Sequence, residues 1–318
     1  MSRSAHYVAS THWDREWYEP FQGFRMRLVS MRDEVFDTLG RDPSFRTFVM
    51  DGQVIPLLDY LEIRPEREED ARRFVREGRL RLGPWYVLPD EWLVSGESMI
   101  RNIEYGMALA REYGAEPSRA GFLCDMFGHT GQMRQILAGF GSRAAFIWRG
   151  THEREHHGIV RWESPDGTAL PAYRFGPYGY CTYAFKVRGA FRPDEPFVFE
   201  DAVGRLVDYT LFEAARTPEG PILLFDGGDH MEIEPRTSEL IARANARLAG
   251  HNIEIVHSDL DRYTAELVGA NPSPAATLKG ELRETGRDPV DSDQQWLIPG
   301  VLSSRIHLKK RNAACEDE

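Results

Sequence analysis

Residues 11–17 read Thr-His-Trp-Asp-Arg-Glu-Trp, and they follow a short apolar run, Tyr7-Val8-Ala9, that predicts a β-strand. His12 and Asp14 stand two residues apart where this strand ends. Because residues i and i+2 of an extended backbone point to the same side, this imidazole and carboxylate can bind one divalent metal ion. His-x-Asp is a weak motif alone, since a surface histidine beside a solvated aspartate has the same spacing. The flanking tryptophans favour a sugar site, where aromatic faces provide packing.

Predicted strands and helices alternate along the chain. Strands are predicted at 7–9, 45–49, 80–83, 120–123, 144–148, 222–225 and 253–256, with a hairpin at 159–173. Helices are predicted at 24–39, 66–77, 95–113 with Ser95 as the N-cap, 132–139, 202–215 and 238–249. This alternation predicts an α/β fold in which helices wrap a mostly parallel sheet. In that architecture the chemistry lies in loops at the carboxyl ends of the strands.

Polar and acidic side chains follow strand after strand in this prediction. They are His12, Asp14, Asp51, Asp90, Glu91, Asp125, Arg149, Asp226, Asp229 and His230. Any one of them would be unremarkable, because loops are polar in general. Their recurrence at successive strand ends predicts a single shared site.

Composition excludes several classes of function. The chain has 318 residues and a formal net charge of −11, which argues against a broad nucleic-acid surface. Its three cysteines, Cys124, Cys181 and Cys315, are too few and too scattered for a disulfide framework, so a reducing, cytoplasmic compartment fits. No secretory signal or membrane span is visible in the sequence, and no membrane partner is expected.

Three further stretches share the character of residues 11–17. They read Leu-Cys-Asp-Met-Phe-Gly-His at 123–129, Phe-Ile-Trp-Arg-Gly at 146–150 and Leu-Leu-Phe-Asp-Gly-Gly-Asp-His at 223–230. In this order the four stretches resemble glycoside hydrolase family 38, the retaining, zinc-dependent α-mannosidases. Residues 83–102 resemble its bacterial branch, which includes mannosylglycerate hydrolases. The resemblance covers residues 5–315 and implies a distorted, seven-stranded (β/α) barrel over 1–298, with 299–318 beginning a helical middle domain.

The resemblance also implies roles for individual residues in a retaining, exo-acting α-mannosidase, whose substrates would be α-mannosides such as mannosylglycerate or mannooligosaccharides. The implied ligands of one zinc ion are His12, Asp14 and Asp125, with Asp125 also the nucleophile. The implied substrate-binding residues are Trp17, Phe127, Arg149 and His230. Asp229 is the first candidate for the general acid. Its rivals are Glu281, Asp291 and Asp293, because in other branches the acid shortly precedes a segment like Leu302-Ser303-Ser304-Arg305.

The sequence departs from the family pattern in two places. Ser10 stands where many relatives have an additional histidine, which is not a ligand position. The fourth zinc ligand of the family is a histidine in the helical domain, beyond the residues present here, and His230 and His307 are the candidate substitutes. The sequence therefore resembles a catalytic-domain fragment, and apolar residues near 302–308 predict self-association into a homo-oligomer.

Two other functions fit part of the sequence. A metal-dependent carbohydrate deacetylase also has histidine and aspartate ligands after barrel strands, with a metal that activates water. A sugar-binding fragment without activity fits an incomplete ligand set. The Asp-x-Phe-Gly-His stretch at 125–129 favours the mannosidase over the deacetylase. The presence of Asp125, Arg149 and Asp229 favours it over the sugar-binding fragment.

Overall fold

Helices and strands alternate through most of the chain. The structure, a computed structural model, describes residues 2–189, 198–285 and 297–317. The strands in these ranges are β1 (Arg3–Ala9), β2 (Phe48–Val49), β3 (Leu80–Arg81), β4 (Ala120–Phe122), β5 (Ala144–Ile147), β6 (Gly158–Glu163), β7 (Ala169–Arg174), β8 (Ile222–Asp226), β9 (Ile253–Ser258) and β10 (Thr277–Lys279). The helices are α1 (Phe21–Arg41), α2 (Ile55–Leu61), α3 (Glu68–Arg76), α4 (Gly96–Glu112), α5 (Met133–Gly139), α6 (Phe199–Arg216), α7 (Thr237–Leu248), α8 (Leu260–Ala270) and α9 (Ile306–Glu316).

The strands pair mainly in parallel, as predicted. One sheet has the order β8-β1-β9, a second has β10-β6-β7-β5-β4, and β2 pairs with β3. The pair β6–β7 is antiparallel and forms the predicted hairpin. These pairings confirm the α/β class. In the described ranges the named strands form three sheets rather than one hydrogen-bonded ring, so the closed seven-stranded barrel stays a prediction.

Aromatic and aliphatic side chains from different strands meet between the sheets. Val8, Phe122, Phe146 and Phe225 are buried in one cluster. The ring of Phe225 lies 5.3 Å from the ring of Phe122. Burying one such side chain contributes about 1.5–3 kcal/mol. Because these residues stand near the ends of β1, β4, β5 and β8, the packing draws the loops that follow those strands toward one point.

Local signals explain several helix boundaries. The hydroxyl of Ser95 accepts a hydrogen bond from the backbone N–H of Ser98 at 3.1 Å, so the predicted N-cap of α4 is present. The Asp259 carboxylate caps α8 in the same way, through the N–H of Arg262 at 2.9 Å. Sequence reasoning did not predict α2, α8 or β10.

The last described segment is helical. None of the residues of α9 is buried, and the Glu316 carboxylate accepts a hydrogen bond from the N–H of Ser95 at 2.7 Å. Its assignment to a second domain stays a prediction. Among the described residues, none of the helices has both the length and the apolar composition needed to cross a bilayer.

Candidate active site

The segment that follows β1 is hydrogen-bonded to the segment that follows β8. The N–H of His12 donates to the carbonyl of Gly228 at 2.8 Å, and the N–H of His230 donates back to the carbonyl of His12 at 2.8 Å. His12 and Asp229 are thereby register partners in a parallel bridge. Two stretches singled out from sequence, more than 200 residues apart, therefore share one short ladder.

The three predicted metal ligands lie together. Nε2 of His12 is 3.3 Å from Oδ1 of Asp14 and 3.4 Å from Oδ2 of Asp125. The three candidate ligand atoms lie within 4.8 Å of one another. Nε2 of His12 is buried, and no described residue forms a hydrogen bond with it. One imidazole nitrogen and two carboxylate oxygens around a common point fit a divalent metal ion.

The two candidates for a fourth ligand are placed differently. Nε2 of His230 accepts a hydrogen bond from the backbone N–H of Asp14 at 3.2 Å, so its lone pair is already engaged. His307 is exposed on α9. Neither belongs to the described group of three, so the protein shell there leaves room for water or substrate oxygen.

Asp51 holds the other side of the His12 ring. Its Oδ2 accepts hydrogen bonds from Nδ1 of His12 at 2.9 Å, from the N–H of Trp13 at 2.9 Å and from Nε2 of Gln53 at 2.7 Å. Sequence reasoning placed Asp51 at a strand end but gave it no role. The signal available was an acidic residue after a strand, which does not reveal a contact made across 39 positions.

A second group of possible ligands shares His12. The Cys124 thiol lies 3.7 Å from Oδ1 of Asp51 and 3.8 Å from Nδ1 of His12. Burial, with the negative charge of Asp51, raises the pKa of Cys124 well above its usual range, so the thiol keeps its proton. Because three N–H donors already occupy Oδ2 of Asp51, a metal ion fits the Nε2 side of His12 better than this side.

Asp125 is held as a carboxylate. Nε of Arg149 donates to Oδ1 of Asp125 at 2.8 Å, and the guanidinium stacks 4.4 Å from the centroid of the Phe127 ring. Burial raises the pKa of Asp125, but the nearby His12 ring and the charge of Arg149 outweigh it and leave this pKa below its ordinary value. An ionised carboxylate is the form that a nucleophile or a metal ligand needs.

The surroundings of Asp229 shift its pKa in the opposite direction to that of Asp125. Burial raises its pKa above the ordinary value, and His12 together with a hydrogen bond from Tyr180 offsets this only in part. The Tyr180 hydroxyl donates to Oδ1 of Asp229 at 2.7 Å. Tyr180 was not predicted as a site residue, because the turn at 179–181 carries no metal or carboxylate motif. A carboxyl with a raised pKa suits an acid that also acts as a base.

A cavity of about 750 Å³ joins these groups. Asp14, Asp125, Arg149 and Asp229 all line it. Its aromatic lining consists of Trp17, Phe127, Trp148, Tyr178, Tyr180 and Phe185. Trp17 lies at the rim of the cavity and is 65% exposed. A ring or two of a sugar fits a space of this size and character.

His230 does not line this cavity. Its side chain is buried, its Nδ1 is 3.0 Å from the Tyr18 hydroxyl, and it lines a smaller cavity of about 300 Å³ with Trp13 and Arg27. Burial lowers the pKa of His230 to about 4, so the ring is neutral. Because Nε2 accepts, Nδ1 carries the proton and donates to Tyr18. The predicted contact of His230 with substrate stays a prediction, and the structure shows it supporting the backbone of Asp14.

The rivals of Asp229 as general acid are not in the cavity or not described. Glu281 is exposed and does not line the cavity. Asp291 and Asp293 lie outside the described residues.

A further buried histidine, His129, follows Phe127 in the same loop. Nδ1 of His129 lies 2.7 Å from Oε1 of Glu91, and both side chains are fully buried. The backbone of His129 exchanges two hydrogen bonds of 2.9 Å with Leu282. Gly128 is at φ +91°, and a Cβ there would lie 2.6 Å from the Leu282 carbonyl oxygen, so the loop needs glycine at this position. These contacts fix the end of the loop that begins at Asp125.

The chain is similar to glycoside hydrolases over most of its length. The model of the glycosyl hydrolases family 38 N-terminal domain matches residues 2–280. A protein of Halalkalibacterium halodurans named "Putative mannosylglycerate hydrolase" is 32% identical over 329 residues, which cover 99% of this chain and 35% of that protein. An α-mannosidase from Enterococcus faecalis V583 superposes with a TM-score of 0.84 at 31% identity, over 98% of this chain and 34% of its own. A family 38 protein from Enterococcus faecalis gives 0.67 at 28% identity, over 88% and 29%.

The match of the family model over residues 2–280 places the chain in the class of glycoside hydrolases. The chain belongs to glycosyl hydrolase family 38, by the match of its N-terminal domain. It spans about a third of the length of the relatives described above.

Proposed function

We propose that this chain carries the catalytic machinery of a retaining, exo-acting α-mannosidase that uses a metal-bound aspartate as its nucleophile. The observation that carries this proposal is the opposite setting of two carboxyl groups lining one cavity. The pKa of Asp125 is lowered and that of Asp229 is raised. Retaining glycosidases need one ionised carboxylate and one protonated carboxyl on the two sides of the glycosidic bond.

The substrate class follows from the lining and from the relatives. Trp17 and Phe127 offer aromatic faces for a sugar ring, and the family relatives include an α-mannosidase. We therefore infer an α-mannoside, with mannosylglycerate or a mannooligosaccharide as the natural form. A cytoplasmic location and a homo-oligomer remain predictions from sequence.

His12, Asp14 and Asp125 would hold the metal, which we propose to be zinc, one ion per chain. When bound, such an ion acts as a Lewis acid toward sugar hydroxyls and favours the ionised form of a neighbouring carboxylate. Asp125 then attacks the anomeric carbon, guided by Arg149, and forms a covalent glycosyl–enzyme. Asp229 gives its proton to the departing oxygen and later takes one from water.

The test has a product arm and a labelling arm. The protein is incubated with an aryl α-mannoside and zinc, or with a chelator, and the products are analysed for mannose. Release of acetate from an acetylated sugar would instead support a metal-dependent deacetylase, and binding without turnover would support a sugar-binding fragment. A fluorinated mannosyl fluoride, which slows breakdown of the intermediate, should label Asp125, as mass spectrometry of peptides would show.

Two variants sharpen the labelling arm. Asp125→Ala should show no label and no turnover. Asp125→Glu keeps a carboxylate for the metal but displaces the attacking oxygen by roughly 1 Å, which should cost about a hundredfold in rate. A label on Asp229 in an active preparation would refute the assigned nucleophile.

A further inference from the structure

Arg188 joins the two ends of the loop that carries Asp229. Its Nη2 donates to Oδ2 of Asp226, the last residue of β8, at 2.6 Å. Its Nη1 donates to the carbonyl oxygen of Glu232 at 2.6 Å. Residues 227–231 lie between these two partners, with Asp229 in the middle. Because a guanidinium presents several donors in a rigid fork, one side chain can bond both ends of the loop at once.

The ion pair between Arg188 and Asp226 is shielded from water. Asp226 is 1% exposed, and 14% of the Arg188 side chain is exposed. The Tyr7 hydroxyl donates to the same carboxylate oxygen, Oδ2 of Asp226. Neither Arg188 nor Asp226 lines the cavity of about 750 Å³. The pair can therefore influence the chemistry only through the loop that it holds.

Arg188 belongs to a segment that contacts the loop at two further points. It ends the π-helical turn Ala184–Arg188, and turns of this kind are frequent at functional sites. A Cβ on Gly228 would lie 3.4 Å from the Cβ of Ala184, so the turn packs directly on the backbone of the loop. Tyr180, four residues before this turn, donates to the carboxyl of Asp229. The segment thus contacts the base, the backbone and the carboxyl group of the loop.

On its other side the loop is bonded to the segment after β1. Besides the ladder between His12 and residues 228–230, the N–H of Met231 donates to Oγ1 of Thr11 at 3.1 Å. His230, directly after Asp229, has a φ of +51°, which residues other than glycine seldom adopt. Such conformations persist where surrounding contacts determine them. The β1 segment and Arg188 supply these contacts from two sides.

We propose that Arg188 is a positioning residue for Asp229, the general acid and base of the proposed function. By bonding Asp226 and Glu232 together, its guanidinium fixes the loop between them, and with it the direction in which the Asp229 carboxyl faces the departing oxygen. This inference rests on the proposed function for the role of Asp229. Arg188 touches neither the sugar nor the reacting atoms and acts through the loop.

The first measurement is amide hydrogen exchange, followed by mass spectrometry of peptides, in protein without added metal. In Arg188→Met, the peptide that contains residues 227–232 should exchange about 10–100-fold faster than in the wild type, the range expected for a lost hydrogen bond to a charged group. Peptides from β6 and β7, which belong to a different sheet, should change far less. Equal acceleration in all of these peptides would indicate a general loss of stability and overturn the proposal.

The second measurement separates proton donation from the other parts of catalysis, with zinc present. The departing oxygen of an α-linked mannobiose needs a proton, so Arg188→Met should lose about 10–100-fold in kcat/KM, as expected when a catalytic group is misplaced by about 1 Å. A dinitrophenyl α-mannoside needs no proton on its leaving group, so the loss with it should be about tenfold smaller, because general acid catalysis contributes little there. Equal losses with the two substrates would overturn the proposal.

A matched control is available in Arg134. This arginine is also buried and also joins two segments, because it donates to the carbonyls of Gly280 and Glu163. Arg134→Met should lower thermal stability, without selective exchange of residues 227–232 and without a difference between the two substrates. If Arg134→Met gave the same selective changes as Arg188→Met, they would reflect general packing and the proposal would fail.

Arg188→Lys replaces Arg188→Met if that variant does not fold, since losing one partner of a buried ion pair is strongly destabilising. Lysine keeps a positive charge beside Asp226 but has a single ammonium in place of the fork. The same selective changes should appear at smaller size, and their absence in folded Arg188→Lys would overturn the proposal. Wild-type protein that released mannose from neither substrate would instead refute the proposed function, and the exchange of residues 227–232 would then decide alone whether Arg188 holds the loop.

Discussion

Two histidines in this protein are buried beside a carboxylate in nearly the same way. Nδ1 of His12 is 2.9 Å from Asp51, and Nδ1 of His129 is 2.7 Å from Glu91. In both rings Nε2 is buried without a hydrogen-bond partner in the described ranges. They differ in their surroundings. Nε2 of His12 lies 3.3 and 3.4 Å from two carboxylates, whereas the His129 ring packs against the Trp162 ring, with centroids 5.4 Å apart, and joins no group of possible metal ligands among the described residues.

This difference shows which feature distinguishes a metal site from a structural pair. A buried histidine–carboxylate pair orients a ring, whatever that ring is for. Only the surroundings of the second nitrogen decide whether the ring can hold an ion. We therefore expect the His12 pair to control binding and chemistry, and the His129 pair to control stability.

The largest effect is expected at Asp229, which lines the same cavity as the two carboxylates next to His12. Burial raises its pKa, so the protonated form persists to higher pH than in an ordinary aspartate. Because this form donates the proton, kcat/KM should fall as pH rises through that pKa. Asp229→Asn should lose about 10²–10⁴-fold in rate and should lose this basic limb of the profile.

The control for this prediction is the leaving group. A dinitrophenyl mannoside needs no proton on its departing oxygen, so glycosylation of Asp229→Asn should be impaired far less with it. An unchanged basic limb in Asp229→Asn would assign the acid to another residue.

The next largest effect is expected at Glu91, the carboxylate partner of His129. Glu91→Ala leaves His129 buried beside an empty space, and breaking such a pair costs about 3–5 kcal/mol of unfolding free energy. Urea denaturation measures this loss. The control is Glu97→Ala, which removes an exposed partner of Arg101 and should lower the free energy of unfolding far less. A loss of unfolding free energy in Glu91→Ala no larger than that in Glu97→Ala would contradict the structural role of Glu91. A loss of zinc affinity in Glu91→Ala larger than that in Asp51→Asn would reverse the expected roles of the two pairs.

The smallest effect is expected at the cavity rim. Trp17 is 65% exposed, so Trp17→Ala should leave stability nearly unchanged. Loss of its face for the sugar should raise KM about 3–10-fold, from roughly 0.5–1.5 kcal/mol of aromatic packing, with little change in kcat. Tyr105, which is 53% exposed and does not line the cavity, is the matched control, because Tyr105→Ala should change neither constant. Equal effects of the two variants would remove Trp17 from the sugar site.

Sequence patterns predicted most of the parallel strands and the helix that begins after Ser95, because apolar periodicity and capping are local signals. They also predicted one shared site, since strand ends in such a fold converge, while the choice of His12, Asp14 and Asp125 as a group came from the family resemblance. Asp51 received no role, because its contact with His12 arises only when the segments after β1 and β2 meet. Helix α8 was missed although Asp259 is a cap residue, because the predicted pattern ended at residue 256.

The position of β1 has a consequence for synthesis on the ribosome. β1 lies between β8 and β9, and its register partners begin at Ile222 and Ile253. At about 5–20 residues per second, translation supplies the first partner roughly 11–43 s after β1 itself, and the second a few seconds later. Until the first partner is made, the nascent chain carries this strand with both edges unpaired, and an unpaired strand edge is prone to aggregation. The strand that precedes the proposed metal ligand His12 thus waits for both of its partners, so slower elongation should increase its dependence on chaperones.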